Sequence, residues 1–208
     1  MTTNRDNSTG KNLGVLISGR GTNLQSIIDA IAAGRLDASI AVVISNRDDA
    51  PGLARAVSAG IETLVLDHRA YPSREDYDTA LVAALHERGA DVVCLAGFMR
   101  VLSSVFIRAF PHRILNIHPA LLPSFPGVNA PYQAWAHGVK VTGATAHLVD
   151  DTLDGGPIVL QEALEVRDED TPETLAARIL EIEHRIYPRA IEEVLRGGWR
   201  VDGRRFVR

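Results

Sequence analysis

The segment Ile114-Leu115-Asn116-Ile117-His118-Pro119-Ala120-Leu121-Leu122-Pro123 runs from an apolar stretch into an amide, an imidazole and two prolines. Ile114, Leu115 and Ile117 read as a buried strand, so Asn116 and His118 arrive where that strand ends. In open α/β sheets this edge is where ligands bind. A second dense polar turn follows later, Asp150-Asp151-Thr152-Leu153-Asp154-Gly155-Gly156-Pro157. Together the two stretches offer an amide, an imidazole and a carboxylate. Those are the parts needed to move a proton and hold a developing oxyanion.

Outward from this segment, the chain before it alternates short apolar runs with helical patterns. Leu13–Ser18, Ile40–Ser45, Thr63–Leu66, Asp91–Ala96 and Arg113–Ile117 read as strands. Between them, Leu24, Ile27, Ile28 and Ile31 recur at helical spacing, and Pro51 opens a second helix that Gly60 closes. Ser73-Arg74-Glu75-Asp76 reads as a capping-box start for a third helix, and Ser103–Phe110 as a short fourth. Strands apolar throughout and separated by helices indicate an α/β fold, a mainly parallel twisted sheet covered on both faces. After residue 140 the pattern changes. Val141–Val149 and Ile158–Val166 read as two extra strands, and Thr171-Pro172-Glu173 starts a long C-terminal helix with Leu175, Ile179, Ile182 and Ile186 as its buried stripe. No linker or repeat divides the chain, so residues 12–208 are expected to form one domain after a disordered polar tail, residues 1–11.

The chain has 208 residues, 46 % of them hydrophobic, which is ample material for a core. A net charge of −4 gives no general attraction to nucleic acid, whose binding needs a cationic surface. Arg196, Arg200, Arg204, Arg205 and Arg208 crowd the C-terminus and read as a solvated end. Cys94 is the one cysteine, so no internal disulfide is possible, and its apolar neighbours make it a small core residue. No long apolar run or signal-peptide pattern is present, so no membrane partner and a cytoplasmic place are expected. There is no His-x-x-x-His pair, and no metal is expected.

Ser18-Gly19-Arg20-Gly21-Thr22-Asn23 lies between the first strand and the first helix. Glycines there let backbone approach a ligand closely, and a helix N-terminus offers free N–H groups to an anion. A tight turn capped by Thr22 or Asn23 is the plainer reading. A dinucleotide fingerprint is disfavoured, because Leu24 stands at its third glycine and Asn46-Arg47 replaces the expected acid.

These motifs, in this order, resemble the folate-dependent formyltransferases, and among them the branch acting on glycinamide ribonucleotide (GAR) in purine synthesis. The likeness runs from about Asn12 to the end of the C-terminal helix. It implies a Rossmann-like fold and formyl transfer from 10-formyltetrahydrofolate, a co-substrate, to an amine. It implies Asn116, His118 and Asp154 as catalytic residues: an amide for the formyl oxygen, an imidazole for the proton, and a carboxylate that holds the ring and favours its charged form. By the same resemblance Gly21, Thr22, Asn23 and Glu183 bind GAR. Arg74, Phe98, Met99, Arg100, Val101, Leu102, Asn116, Val149, Asp150, Asp151, Thr152 and Leu153 contact the folate, and the Leu121-Leu122-Pro123 loop matches one that holds a cis proline. Asn129 and Pro131 stand where many relatives differ, and neither is assigned a role. Two siblings share the residues. A formyltetrahydrofolate deformylase is expected to carry a further N-terminal domain, and methionyl-tRNA formyltransferase a further C-terminal one. A non-catalytic folate- or phosphate-binding module is the alternative outside catalysis. Monomer and homodimer both remain open.

Overall fold

A computed structural model describes residues 11–208, and the expected tail lies outside them except for Lys11. The Lys11 carbonyl accepts from Ser39 N–H at 2.9 Å, and its ammonium pairs with Asp37.

Strands β1 (Asn12–Ile17), β2 (Ser39–Ser45), β3 (Thr63–Val65), β4 (Val92–Leu95) and β5 (Ile114–His118) lie parallel, in the order β3-β2-β1-β4-β5. β6 (Val141–Leu148) then joins β5 antiparallel, and β7 (Ile158–Glu165) joins β6 antiparallel. The connecting helices are α1 (Thr22–Ala32), α2 (Gly52–Ser58), α3 (Arg74–Glu87), α4 (Ser104–Ala109), α5 (Ala130–Ala136) and α6 (Pro172–Arg196).

Alternation along the strands splits the core between the two sheet faces. Leu13, Val15 and Ile17 pack with Leu24 and Ile27 of α1 and with Ile179, Ile182 and Ile186 of α6. Leu16 turns the other way, into a cluster with Leu81 and Leu85 of α3 and Phe106 of α4. Gly14 shares that second face because α3 comes close there: a Cβ on it would lie 2.3 Å from a Leu85 methyl. The same alternation places the polar residues of β5. Leu115 and Ile117 face α6 and Ile114 faces the α3 side, so Asn116 and His118 face the α3 side as well. Ala144, Ala146 and Leu148 of β6 face α6, which leaves Thr145 and His147 beside them on the polar face.

Three local expectations change. Ser73 does cap α3, its hydroxyl accepting from Asp76 N–H at 3.1 Å. Asp76, one methylene shorter than Glu, takes the Ser73 hydroxyl proton at 2.8 Å rather than reaching the Ser73 backbone. The complete capping box is at α6, where Thr171 and Thr174 exchange side-chain and backbone bonds. The second change is α5, a helix the sequence pattern did not single out; it starts from Asn129 in the left-handed region at φ 56°, which Asn tolerates better than most residues.

The third correction concerns the arginine-rich C-terminus, which is structured. β8 (Arg200–Asp202) and β9 (Arg205–Val207) form a hairpin, and Arg205 of β9 pairs with Ile158 of β7. Trp199 is buried, stacks on Phe206 at 4.9 Å, and donates its indole N–H to the Val194 carbonyl at 2.9 Å. The arginines stay exposed while the aromatics between them anchor the segment, so charge counting missed it. Trp199→Ala should lower the unfolding free energy by about 3 kcal/mol, read by urea denaturation. A loss under about 0.5 kcal/mol would mean the hairpin contributes no more than a solvated end.

Candidate active site

The antiparallel pairing of β5 with β6 sets Asn116 opposite His147 and His118 opposite Thr145. Asn116 Nδ2 lies 3.2 Å from His147 Nε2, and His147 Nδ1 lies 2.8 Å from the Leu148 carbonyl. A carbonyl only accepts, so Nδ1 carries the proton and Nε2 accepts from the amide. Burial pushes the His147 pKa down, more than the Leu148 bond and Asp154 push it up, so the ring is neutral. His147 therefore holds the Asn116 amide and leaves its second N–H for an oxygen acceptor.

His118 has a different setting. Its Nε2 donates to the Phe125 carbonyl at 2.8 Å. Its Nδ1 faces Asp154 Oδ2 at 3.4 Å, with the two side chains only 5 % and 10 % exposed. Each ring nitrogen thus faces an oxygen. With Nε2 committed to Phe125, Nδ1 is the ring nitrogen left facing Asp154. Asp154 Oδ2 also accepts from Gly127 N–H at 2.7 Å, which ties the two covering loops together. Phe125 and Asp154 both sit in the left-handed region, at φ 53° and 50°. For Phe that is strained backbone, of order 1–3 kcal/mol, and it aims the carbonyl at His118. Leu122-Pro123 is cis, and Leu122 N–H and the Ala120 carbonyl are both bonded to the Thr145 hydroxyl.

His147 is the site residue that sequence reading missed. One signal existed: a histidine two places after Thr145 on a strand whose other residues are small or apolar. Its meaning depends on the β5–β6 register. The expected strand also ended too early. β5 continues through His118, so the polar pair works on the sheet face rather than beyond its edge.

The glycine loop forms a second centre. Gly21 is the N-cap of α1, at φ 66° and with no side-chain cap bond. Neither Thr22 nor Asn23 caps the helix. Asn23 Nδ2 instead donates to Glu183 of α6 at 2.9 Å, so two residues from the resemblance meet across the fold. Glu183 is 6 % exposed, not an exposed helical residue. Burial pushes its carboxyl up to about 7, against the opposing bond from Asn23. Ser18 links this loop to the next: its N–H donates to the Gly97 carbonyl at 3.1 Å, and its hydroxyl accepts from Met99 N–H at 2.9 Å.

The residues expected to contact folate are placed more loosely. Phe98 and Leu102 are buried in the α3 side of the core, while Met99 is 73 % exposed and Val101 and Leu153 also face solvent. Val149 packs against the same core, and Asp150 accepts from Thr152 N–H at 2.8 Å, shaping the turn toward Asp154. Arg100 Nε is buried without a partner among the described residues, and Asp151 is exposed. Arg74 begins α3, half exposed and 3.6 Å from Glu75. Among the described residues no bond ties Arg74, Met99, Val101 or Leu153 to the Asn116–His118–Asp154 group. Cys94 is wholly buried and its thiol is pushed up to about 12 by that burial, which leaves it inert. Among the described residues no cluster of three or more His, Cys, Asp or Glu could hold a metal, and no helix is long and apolar enough to cross a membrane.

The family described as formyl transferase matches residues 11–191. The chain is 45 % identical to the phosphoribosylglycinamide formyltransferase of Escherichia coli (strain K12), over 93 % of this chain and 88 % of that one. It is 48 % identical to the trifunctional purine biosynthetic protein adenosine-3 of Bos taurus over 90 % of this chain, but spans only 18 % of that protein. Among solved structures, glycinamide ribonucleotide transformylase 1 from Symbiobacterium toebii superposes with a TM-score of 0.93 at 52 % identity, covering 95 % of this chain and 93 % of that one.

Glu183 gives the site a pH dependence whose sign is fixed. Its ordinary value is 4.5 and its folded value about 7, so the folded chain holds a proton that the unfolded chain has lost between those limits. The contribution is full below the unfolded value and is lost as pH rises through the folded one, a change of roughly 3 kcal/mol. Glu183→Gln, which cannot ionise, should flatten that slope. Denaturation at about pH 5 and about pH 8 reads it, and an identical slope in both proteins would show that Glu183 is not the titrating group.

Proposed function

The chain belongs to the formyl transferase family, and we propose that it transfers the formyl group of 10-formyltetrahydrofolate to the amine of glycinamide ribonucleotide in purine synthesis. The observation that carries this reading is the joining of Asn116, His118 and Asp154, through His147, on one polar stretch of sheet face. It gains weight from relatives bearing that function's name that match almost end to end in both directions.

In the proposed reaction the glycine amine attacks the formyl carbon, and negative charge moves to the formyl oxygen. The free N–H of Asn116 suits that oxygen; one such donor is typically worth about 10²–10³ in rate. The new C–N bond forms as the bond to the folate nitrogen breaks. The attacking amine gives up a proton, and the leaving nitrogen takes one. His118, with its Nδ1 facing Asp154, is placed to manage that traffic. Gly21, Thr22, Asn23 and Glu183 are proposed to hold the ribonucleotide. Arg74, the Phe98–Leu102 segment and the Val149–Leu153 loop are proposed to hold the folate. We read residues 12–208 as a single catalytic domain working in the cytoplasm without a metal.

The test is tetrahydrofolate release from 10-formyltetrahydrofolate by purified protein, with and without GAR. Release that requires GAR supports the transferase. Release with formate and no GAR makes water the acceptor, and no release in either case removes the catalytic reading. His118→Ala should reduce turnover by about 10²–10⁴ while GAR affinity, measured by calorimetry, stays close to wild type. Wild-type turnover in that variant would sink the assignment of the proton to His118.

A further inference from the structure

Arg55 of α2 lies outside every role assigned so far, yet it is built into the glycine loop. α2 presses on that loop so closely that a Cβ on Gly21 would come 2.6 Å from Gly52 Cα, and Gly52 N–H donates to the Gly19 carbonyl at 3.0 Å. From there the Arg55 side chain turns back along α1. Its Nε donates to the Arg20 carbonyl at 2.9 Å, and its Nη1 donates to Gln25 Oε1 at 3.2 Å. Both partners are neutral. Among the described residues Arg55 has no carboxylate, whereas Arg47, Arg69, Arg88, Arg178, Arg185 and Arg196 each have one.

That uncompensated charge lines a cavity of about 390 Å³ between α1, α2 and α6, with Thr22, Ser26, Arg35 and His184 also in its wall. Arg35 likewise has no acidic partner among the described residues. His184 Nε2 is buried there with no hydrogen-bond partner. Burial, and after it the charge of Arg55, lowers the His184 pKa, while Asp29 and Glu181 pull weakly the other way. Asp29 is the acid in the wall, and one of its oxygens already accepts from Gln25 Nε2 at 2.9 Å. Thr22 connects this cavity to the uncapped first turn of α1, which adds backbone N–H groups and the positive end of a helix. Donors and positive charge thus converge on this volume, with Asp29 the acid that shares its wall.

We propose that Arg55 is a phosphate-binding residue, the counter-ion of the acceptor ribonucleotide's phosphate, which sits in this cavity against the first turn of α1. The inference rests on the reading of the acceptor as a ribonucleotide and names the residue that recognises its charged end. Backbone N–H groups alone bind an anion modestly. A guanidinium fixed by two bonds supplies a preorganised, charge-assisted donor, which is stronger. Arg55 then selects the nucleotide over its nucleoside, while Asn116 and His118 are indifferent to the phosphate.

The experiment compares kcat/KM for GAR and for its dephosphorylated nucleoside in wild type, Arg55→Gln and Arg55→Lys. Inorganic phosphate binding by calorimetry accompanies each. Wild type should favour the nucleotide. Arg55→Gln should shrink that preference by about 10- to 100-fold, through KM for GAR rather than kcat, and weaken inorganic phosphate similarly. Arg55→Lys, which keeps the charge but not the fork, should retain much of the preference. An unchanged preference in Arg55→Gln overturns the proposal. So does an equal loss with nucleotide and nucleoside, which would make Arg55 only a brace for the loop. A wild type that formylates neither acceptor overturns the proposed function instead, and the phosphate titration then decides Arg55 by itself.

Discussion

The reversal of chain direction at β6 is the constraint on which the site depends. A sixth parallel strand would have needed a crossover connection after β5. Because β6 returns antiparallel along β5, His147 comes to lie across from Asn116. The reversal also delivers residues 149–157 to the start of β5 rather than its end, so this loop must fold back over the sheet to bring Asp154 to His118. The fold-back is tight. Leu148 N–H donates to the Pro157 carbonyl at 2.8 Å, and a Cβ on Gly156 would meet the Leu148 carbonyl oxygen at 1.9 Å. Gly156 is required here by the approach of backbone to backbone. Only then does the Asp154 carboxylate, mostly buried, find the Gly127 N–H and the His118 ring that compensate its lost hydration.

The long helix α6 couples this face to the glycine loop from the other side of the sheet. The Tyr187 hydroxyl is buried within 2.9 Å of the Leu95 carbonyl and 3.0 Å of the Leu115 carbonyl, at the ends of β4 and the middle of β5. One turn earlier, Glu183 meets Asn23. The same rigid element thus fixes the strand that carries Asn116 and His118 and the loop that begins α1. Ser18 makes the corresponding link on the near side, bonding the Gly97–Met99 backbone to the end of β1. Two loops and one polar sheet face are held by a few bonded residues, which suits the proposed reaction, one limited by relative placement.

What the sequence disclosed followed from periodicity. Apolar runs and glycine stops located every parallel strand and most helices within a residue or two, because burial on both faces leaves little room for other patterns. Motif order pointed to Asn116, His118 and Asp154, which the fold brings together. Three things were hidden, each because it is a relation rather than a residue. The importance of His147 lies in strand register. The C-terminal hairpin rests on Trp199 and Phe206 finding one another among arginines that dominate the local composition. The Asn23–Glu183 bond joins residues far apart in the chain, and by local pattern alone Asn23 is a helix cap and Glu183 a surface acid.

The two histidines on the polar face show how placement sorts chemistry among like groups. His147 donates to a backbone carbonyl, accepts from an amide, and is buried, all of which suit the neutral ring. His118, two pairs away on the facing strand, has an oxygen at each nitrogen, and one of those oxygens belongs to a carboxylate. Exchanging their roles would fail on both counts. A charged ring beside Asn116 could not accept from the amide, and at His118 no amide donor stands where both ring nitrogens face oxygens. In the proposed reaction, that difference in surroundings makes His147 a positioning residue and His118 the proton carrier. The proposed mechanism then follows less from which residues are present than from the single turn of chain that puts Asp154 nearer to His118 than to His147, at 3.4 Å against 3.8 Å.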